Sequence, residues 1–296
     1  MDNTVIRTFI PGSPWLYYKI YSGTTTANLV LTEIIGPLAQ RLKRQEVVLK
    51  WFFIRYHDPE PHLRVRFWVK DVAKLGVIMT QMQQHLQPYI DQELVWKLQL
   101  DTYNRELERY GAASIEEAEA LFYHDSILVT HALAMIEDSD LKLFFALKRI
   151  DQLLANFGLN TADKLRLVQH NGKGFKQEFN ANKHTNKQLD GKYRKHRKTL
   201  EEFMILQEHE DYEPLLQLLQ YNSEQQQPVI QSLFEKRDAQ TLEVSIENLL
   251  GSYIHMFVNR YYDTRQRLHE MVCYDYLDRY YRALVGREHA VKNSES

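Results

Sequence analysis

Cysteine is nearly absent: Cys273 is the only one in 296 residues. It cannot form an intramolecular disulfide or a cysteine-rich zinc site, and secreted proteins more often carry paired cysteines, so a cytoplasmic setting is expected. Long apolar runs are missing too. The first 14 residues hold an acidic residue at position 2, one arginine and two prolines, which is neither a signal peptide nor a membrane span. No charge sign dominates, with 37 Lys plus Arg against 39 Asp plus Glu and a net charge of -2. A general attraction to nucleic acid or to an anionic membrane is therefore excluded, and any recognition of anions has to be local. The sequence has no Walker loop, no GxGxxG after a strand, no HExxH and no GxSxG, so nucleotide transfer, zinc proteolysis and serine hydrolysis lack their parts. His57–Asp58 and His124–Asp125 have no third ligand at helical spacing, and neither a metal nor a cofactor is expected.

What is present is an ordinary globular composition, 44% hydrophobic and 26% charged. Over the first third the hydrophobic period switches repeatedly. Trp15 to Ser22 reads as a strand. Thr24 to Thr26 cap a helix whose stripe is Leu29, Leu31, Ile34, Ile35, Leu38 and Leu42. Val47 to Tyr56 and His62 to Lys70 read as a hairpin about the Asp58-Pro59-Glu60-Pro61 turn. Asp71 caps a second helix expected to break at Pro88, and Leu94 to Tyr103 alternates as a last strand. The order strand, helix, strand, strand, helix, strand is that of a ferredoxin-like split βαβ sheet.

After Gly111 the pattern turns helical: Ser114–Ile136, Asp140–Phe157, Thr161 to about Gly172, Asp211–Asn222, Gln225–Arg237, and Thr241 to about Leu284 as two helices or one bent one. Gly172 to Lys198 reads as a mobile loop flanking a helix start, and residues beyond about Gly286 as frayed. The expected protein is α+β, a sheet subdomain over 1–110 and a helical subdomain over 111–296 within one compact unit.

Alternation in the second hairpin strand sets Leu63, Val65, Phe67 and Val69 against His62, Arg64, Arg66 and Trp68. With helices on one face only, the arginines and Lys19 stand on the other, either as a cradle for a carboxylate or paired with acids such as Asp58, Glu60 and Asp101. Glu106, Glu108, Arg105 and Arg109 before Tyr110-Gly111 read by themselves as an exposed charged turn. His255 lies in an apolar helical stretch, with Asn259 one turn on to orient its imidazole and Arg260 beside it; a satisfied core histidine is the competing reading. The basic run Lys192 to Lys198 could touch RNA or an acidic peptide, or simply be solvated.

Five segments, in order, carry a resemblance: Trp15-Leu16-Tyr17-Tyr18-Lys19-Ile20-Tyr21; Trp51 to Pro59 running into His62-Leu63-Arg64-Val65-Arg66-Phe67; Glu106-Leu107-Glu108-Arg109-Tyr110-Gly111; Phe122 with Asp125-Ser126; and His255-Met256 with Asn259-Arg260. Together they resemble the C-terminal elimination domain of class I lantibiotic dehydratases, also found alone as thiopeptide-type bacteriocin biosynthesis proteins. The resemblance implies a lyase that removes glutamate from glutamylated Ser or Thr of a precursor peptide, leaving dehydroalanine or dehydrobutyrine. The implied catalytic residues are Arg66, Arg109 and His255, with Arg55, Arg64, Lys19, Asn259 and Arg260 as substrate-binding candidates. It also implies two partners, the glutamylated precursor peptide and a separate glutamylation protein that uses glutamyl-tRNA, and it is compatible with a homodimer. The alternatives are a thiopeptide [4+2] cycloaddase, or pyridine synthase, on the same scaffold, and a non-catalytic leader-peptide binder that adds the peptide at an open sheet edge.

Overall fold

Aromatic and β-branched residues dominate the segments that pair in the computed structural model, which describes residues 5–180 and 183–294. A two-residue strand β1 (Thr8–Phe9) precedes β2 (Trp15–Ser22). A helix in three continuous pieces follows: α1 (Thr24–Leu29), a π-helical stretch Val30–Ile35, and α2 (Gly36–Arg44). The hairpin is β3 (Val48–Tyr56) and β4 (His62–Val69). Next come α3 (Leu75–Asp91), β5 (Val95–Leu100) and a short β6 (Tyr103–Asn104). The four long strands form one antiparallel sheet in the order β3-β4-β2-β5, the order a split βαβ unit requires, and β1 pairs with β6 as a separate two-stranded piece.

One face of the sheet is apolar as the alternation demands, with Leu16, Ile20, Phe53, Leu63, Val65 and Phe67 almost fully buried. Arg55 on that face reaches Asn28 of α1, which marks it as the side of the crossover helices. The opposite face is not left to solvent over its whole length, contrary to the expectation from the split βαβ pattern. Further helices return to it: a one-turn α4 (Leu107–Tyr110), then α5 (Ile115–Met135), and, much later in sequence, α10 (Ile246–Tyr261) after α9 (Glu213–Asp238). Phe122 of α5 packs on Phe52 of β3 at 5.5 Å between ring centroids. Where α5 meets the π-helical stretch, Gly36 is required, because a Cβ there would lie 2.7 Å from the Thr130 methyl.

The chain divides into two compact units, Met1–Met135 with Pro228–Thr264, and Ile136–Gln227 with Arg265–Ser296. The change from sheet to helix near residue 110 is thus a change of element type. The compact units are cut elsewhere, because α5 and α10 cover the sheet. The second unit contains α6 (Ser139–Asn156), α7 (Thr161–Glu178), α8 (Lys183–Ile205) and α11 (Gln266–Ser294).

Several expected boundaries are corrected. The stretch read as a mobile loop is largely helix: α7 runs on to Glu178, and α8 begins at Lys183, with 181–182 outside the described residues. Its polar composition hides a narrow stripe, Leu189, Tyr193, Leu200 and Phe203, buried at helical spacing. The end of α8 is held by Lys148, whose Nζ donates to the carbonyls of Phe203, Met204 and Leu206 at 3.2, 2.9 and 2.6 Å. Pro88 does not end α3, which continues to Asp91, and α9 runs unbroken through Asn222 and Pro228. A single missing N–H is tolerated in α9 because Leu219, Ile230 and Leu233 are buried on both sides of it. Of the two alternatives for Thr241 to about Leu284, two separate helices form, α10 ending at Tyr261 and α11 beginning at Gln266, and α11 stays helical past Gly286 to Ser294.

Candidate functional site

The register fixes what surrounds Arg66. Tyr17 of β2 lies opposite it on one side and Phe52 of β3 on the other, so all three side chains share a face. Tyr103, at the end of the β1–β6 pair, closes the box. The Arg66 Cζ sits 4.4 Å from the Tyr17 ring centroid, 4.6 Å from Tyr103 and 5.1 Å from Phe52. Arg66 is only 6% exposed, and its Nε and Nη1 are buried without a hydrogen-bond partner. Burial lowers its pKa from the ordinary arginine value, yet a guanidinium stays protonated at neutral pH. Among the described residues no carboxylate forms an ion pair with it. The aromatic faces stabilise the charge without consuming its donors.

Nearby acids are engaged elsewhere. Glu119 of α5, fully buried, accepts from Arg105 Nε and Nη2 at 2.8 Å each, from Tyr103 Oη at 3.0 Å and from Lys50 Nζ at 3.2 Å. Asp101 pairs with Lys19, which raises the lysine pKa, so Lys19 has an internal partner at this face. Two residues along from Arg66, Arg64 stacks on the Tyr56 ring at 3.5 Å and donates from Nε to His62 Nε2 at 3.1 Å. That fixes His62 as the tautomer whose Nδ1–H donates to the Glu60 carbonyl at 2.8 Å. Burial lowers the His62 pKa, with Arg64 and Lys19 acting in the same direction.

Arg109 is presented by the α4 turn, which ends at Gly111 with φ +78°, a left-handed conformation that a glycine adopts without strain. Its Nε donates to Ser252 Oγ of α10 at 3.2 Å, and Nη1 lies 3.7 Å from Glu106. Ser252 and His255 are three residues apart on α10 and share a helix face, so Arg109 and His255 are brought within one turn of each other. His255 is half-buried. The exposed Glu106 carboxylate, beside Arg109, also acts electrostatically on Arg66. Between the two arginines the wall is aromatic: Phe52 meets Phe122 at 5.5 Å, and Phe122 meets Tyr110 at 5.2 Å.

Three candidates go elsewhere. Asn259 does not orient His255: its Oδ1 accepts from the Arg55 N–H and its Nδ2 donates to the Arg55 carbonyl, both at 3.0 Å. It closes the free edge of β3 as a neighbouring strand would. Arg260 donates from Nε to the Phe53 carbonyl at 2.8 Å and from Nη1 to the Met256 carbonyl at 3.0 Å, and Ser126 Oγ accepts from the Phe53 N–H at 3.2 Å. Arg55 points to the face opposite Arg66 and donates to the Arg260 carbonyl at 2.9 Å and to Asn28 at 2.6 Å. Burial lowers the pKa of both Arg55 and Arg260 to about 10. These three side chains join β3 to α10.

Sequence reasoning missed Tyr17, Phe52 and Tyr103 as the walls of the Arg66 box, and Lys50, Arg105 and Glu119 behind it. Tyr17 and Phe52 could have been found once strand pairing was fixed, since they face Arg66 in register. Tyr103 and Glu119 could not, because they arrive from outside the sheet. Among the described residues no cluster of three or more His, Cys, Asp or Glu is placed to hold a metal, and no helix is long and apolar enough to cross a membrane.

Comparison with known proteins gives this geometry its context. Over 275 residues the chain is 26% identical to the subtilin biosynthesis protein SpaB of Bacillus subtilis, covering 90% of this chain and 25% of SpaB. It is 28% identical over 136 residues to the nisin biosynthesis protein NisB of Lactococcus lactis subsp. lactis, covering 45% of this chain and 13% of NisB. It therefore spans about a quarter of the length of SpaB. Among solved structures, the tRNA-dependent lantibiotic dehydratase MibB from Microbispora sp. 107891 superposes with a TM-score of 0.72 at 22% identity, over 95% of this chain and 29% of MibB. The pyridine synthase TbtD from thiomuracin biosynthesis gives 0.64 at 12% identity, over 90% of this chain and 97% of TbtD. At these identities the superpositions establish a shared fold. The family model described as lantibiotic biosynthesis dehydratase C-term matches residues 15–281, and the chain belongs to that family.

Proposed function

We propose that this chain, its sheet-bearing and helical regions acting together as one elimination domain, removes glutamate from glutamylated Ser or Thr of a ribosomal precursor peptide. The observation that carries the reading is Arg66: a buried cation boxed by three rings, with two unpartnered donor nitrogens and, among the described residues, no carboxylate in an ion pair with it. A fold retains such an uncompensated charge at a cost unless an anion completes it. The glutamyl ester brings one anion and releases another.

In the reaction a base takes the Cα proton of the esterified residue. The electron pair forms the Cα=Cβ bond, the Cβ–O bond breaks, and glutamate leaves as a carboxylate. The leaving group is already a weak base, so it needs cations more than a proton. Arg66 and Arg109 are assigned to the glutamyl carboxylates and to the developing negative charge, and His255 to proton transfer. Arg64 extends the cationic face beyond Arg66. A separate protein that uses glutamyl-tRNA would supply the ester, because elimination consumes a bond that a different reaction must make.

Mass spectrometry of a glutamylated Ser/Thr peptide incubated with the protein and with Arg66→Ala and His255→Ala tests this. Loss of intact glutamate to give a dehydrated peptide, with the wild type only, supports elimination. An unchanged ester, or hydrolysis back to Ser or Thr, refutes it; cyclisation of an already dehydrated peptide would replace it with the cycloaddase reading.

A further inference from the structure

The Arg66 box is built with a carboxylate directly behind it. Glu119 is fully buried on α5, and its two oxygens receive four hydrogen bonds: Oε1 from Arg105 Nε and Tyr103 Oη, Oε2 from Arg105 Nη2 and Lys50 Nζ. Tyr103 belongs to both groups. Its hydroxyl donates to Glu119, while its ring lies 4.6 Å from the Arg66 Cζ, with Phe9 stacked on it at 6.0 Å and Trp15 edge-on at 5.5 Å. Tyr103 is therefore the shared member of a buried ionic cluster and the cationic box.

We propose that Glu119 is a positioning residue for Arg66, acting through Tyr103. Two physical effects combine. The hydrogen bond from Tyr103 fixes the height and tilt of a ring that is one wall of the box, and so fixes where the guanidinium donors point. Arg105 and Lys50 hold the Glu119 carboxylate at the hydroxyl end of that ring, so its charge is satisfied there and it anchors the wall without pairing with Arg66. A purely structural ion pair would need only Arg105. Tyr103 spends its only donor on Glu119 and gives Arg66 nothing but its π face. The deep burial of the phenol and the adjacent Glu119 charge raise the Tyr103 pKa well above the ordinary tyrosine value, which keeps it a donor.

The inference rests on Arg66 as a carboxylate cradle, so its test needs one readout that does not. In protein labelled with nitrogen-15 at arginine, the Arg66 Nε–H signal is identified by its loss in Arg66→Lys and followed in Tyr103→Phe and Glu119→Gln. Calorimetric titration with glutamate is run on the same samples. The expected result is that both variants displace the Arg66 signal and that Tyr103→Phe, which keeps the ring, weakens glutamate binding about tenfold, the factor one ordering hydrogen bond carries. An Arg66 signal that stays in place in both variants overturns the proposal, even if their melting temperatures fall, because Glu119 would then serve the fold alone. Wild-type protein that binds no glutamate while its Arg66 signal still responds to Tyr103→Phe would refute the cradle reading and leave the positioning role standing. If Glu119→Gln does not fold, Tyr103→Phe alone decides.

Discussion

Two buried arginines joined through the same tyrosine should respond very differently to the same substitution. Arg105 and Arg66 are both buried, at 3% and 6% exposure, and Tyr103 links them, its ring against Arg66 and its hydroxyl on the Glu119 carboxylate that Arg105 binds; Arg105 has a carboxylate and Arg66 does not. Replacing Arg105 with Met strips Glu119 of two charge-assisted hydrogen bonds and removes a third to the Ile6 carbonyl at 3.1 Å. A buried charge left unpaired costs about 3–5 kcal/mol; Lys50, still 3.2 Å away, places this case near the lower end, about 3 kcal/mol. Against a total stability of about 5–15 kcal/mol, that loss is plain in a urea titration. Arg66→Met removes a charge that, among the described residues, no acid pairs with directly. It deletes two unsatisfied buried donors, each costing about 1–3 kcal/mol, and gives up cation–π contacts with three rings at about 0.5–2 kcal/mol each. The two sums nearly cancel, and Met fills most of the volume, so Arg66→Met is expected within about 1 kcal/mol of wild type while losing anion binding. Urea unfolding of both variants, followed by tryptophan fluorescence, checks this. If Arg66→Met destabilises as much as Arg105→Met, Arg66 has a structural role and the reasoning from its missing partner fails.

Asn259→Ala removes both hydrogen bonds that close the β3 edge at Arg55 and should cost about 2–4 kcal/mol, since two backbone groups lose their partner; a loss under about 0.5 kcal/mol in urea unfolding would argue against the clamp. His62 has a folded pKa below the unfolded value of about 6.5, so as pH falls the unfolded chain takes up this proton first, and its contribution to stability declines below that pH. His62→Gln should therefore shrink the drop in urea midpoint between pH 7.5 and 5.5, and an undiminished drop assigns the pH dependence to other groups. Lys148→Met releases three carbonyls at the end of α8 and should cost about 1–3 kcal/mol, with amide exchange accelerated first at residues 200–205; uniform exchange would show that the end of α8 is held by other contacts.

The parts of the fold that were legible in the sequence are those where one period dominates. The hairpin, the two crossover helices and the sheet order followed from alternation and turn residues, because each strand buries one face against elements adjacent in sequence. The α8 region was misread for a physical reason. A stripe of four buried residues suffices to anchor a helix, but Lys, His, Asn and Gln on the remaining positions swamp that stripe in any average over a window. Pro88 and Pro228 were misjudged in a related way: the rule that proline ends a helix concerns the isolated segment, and burial on both sides of Pro228 overrides it.

The candidate site shows the same division at the level of single side chains. Arg66 and Arg64 could be placed on one face because period two leaves no choice, whereas Arg55 needed the strand's phase relative to β4: it pairs with Leu63 and so falls on the apolar face. His255 and Asn259 share a helix face, which suggested a catalytic pair. What decided otherwise was the edge of β3, whose unpaired N–H and C=O groups demand partners more strongly than a half-buried imidazole does. A sheet with an uncovered edge strand facing a returning helix will take any Asn, Ser or Arg at the right height to close it. Asn259, Arg260 and Ser126 do so here, while Arg109 is tied to Ser252, three residues before His255, and Arg66 keeps two buried donor nitrogens without a partner.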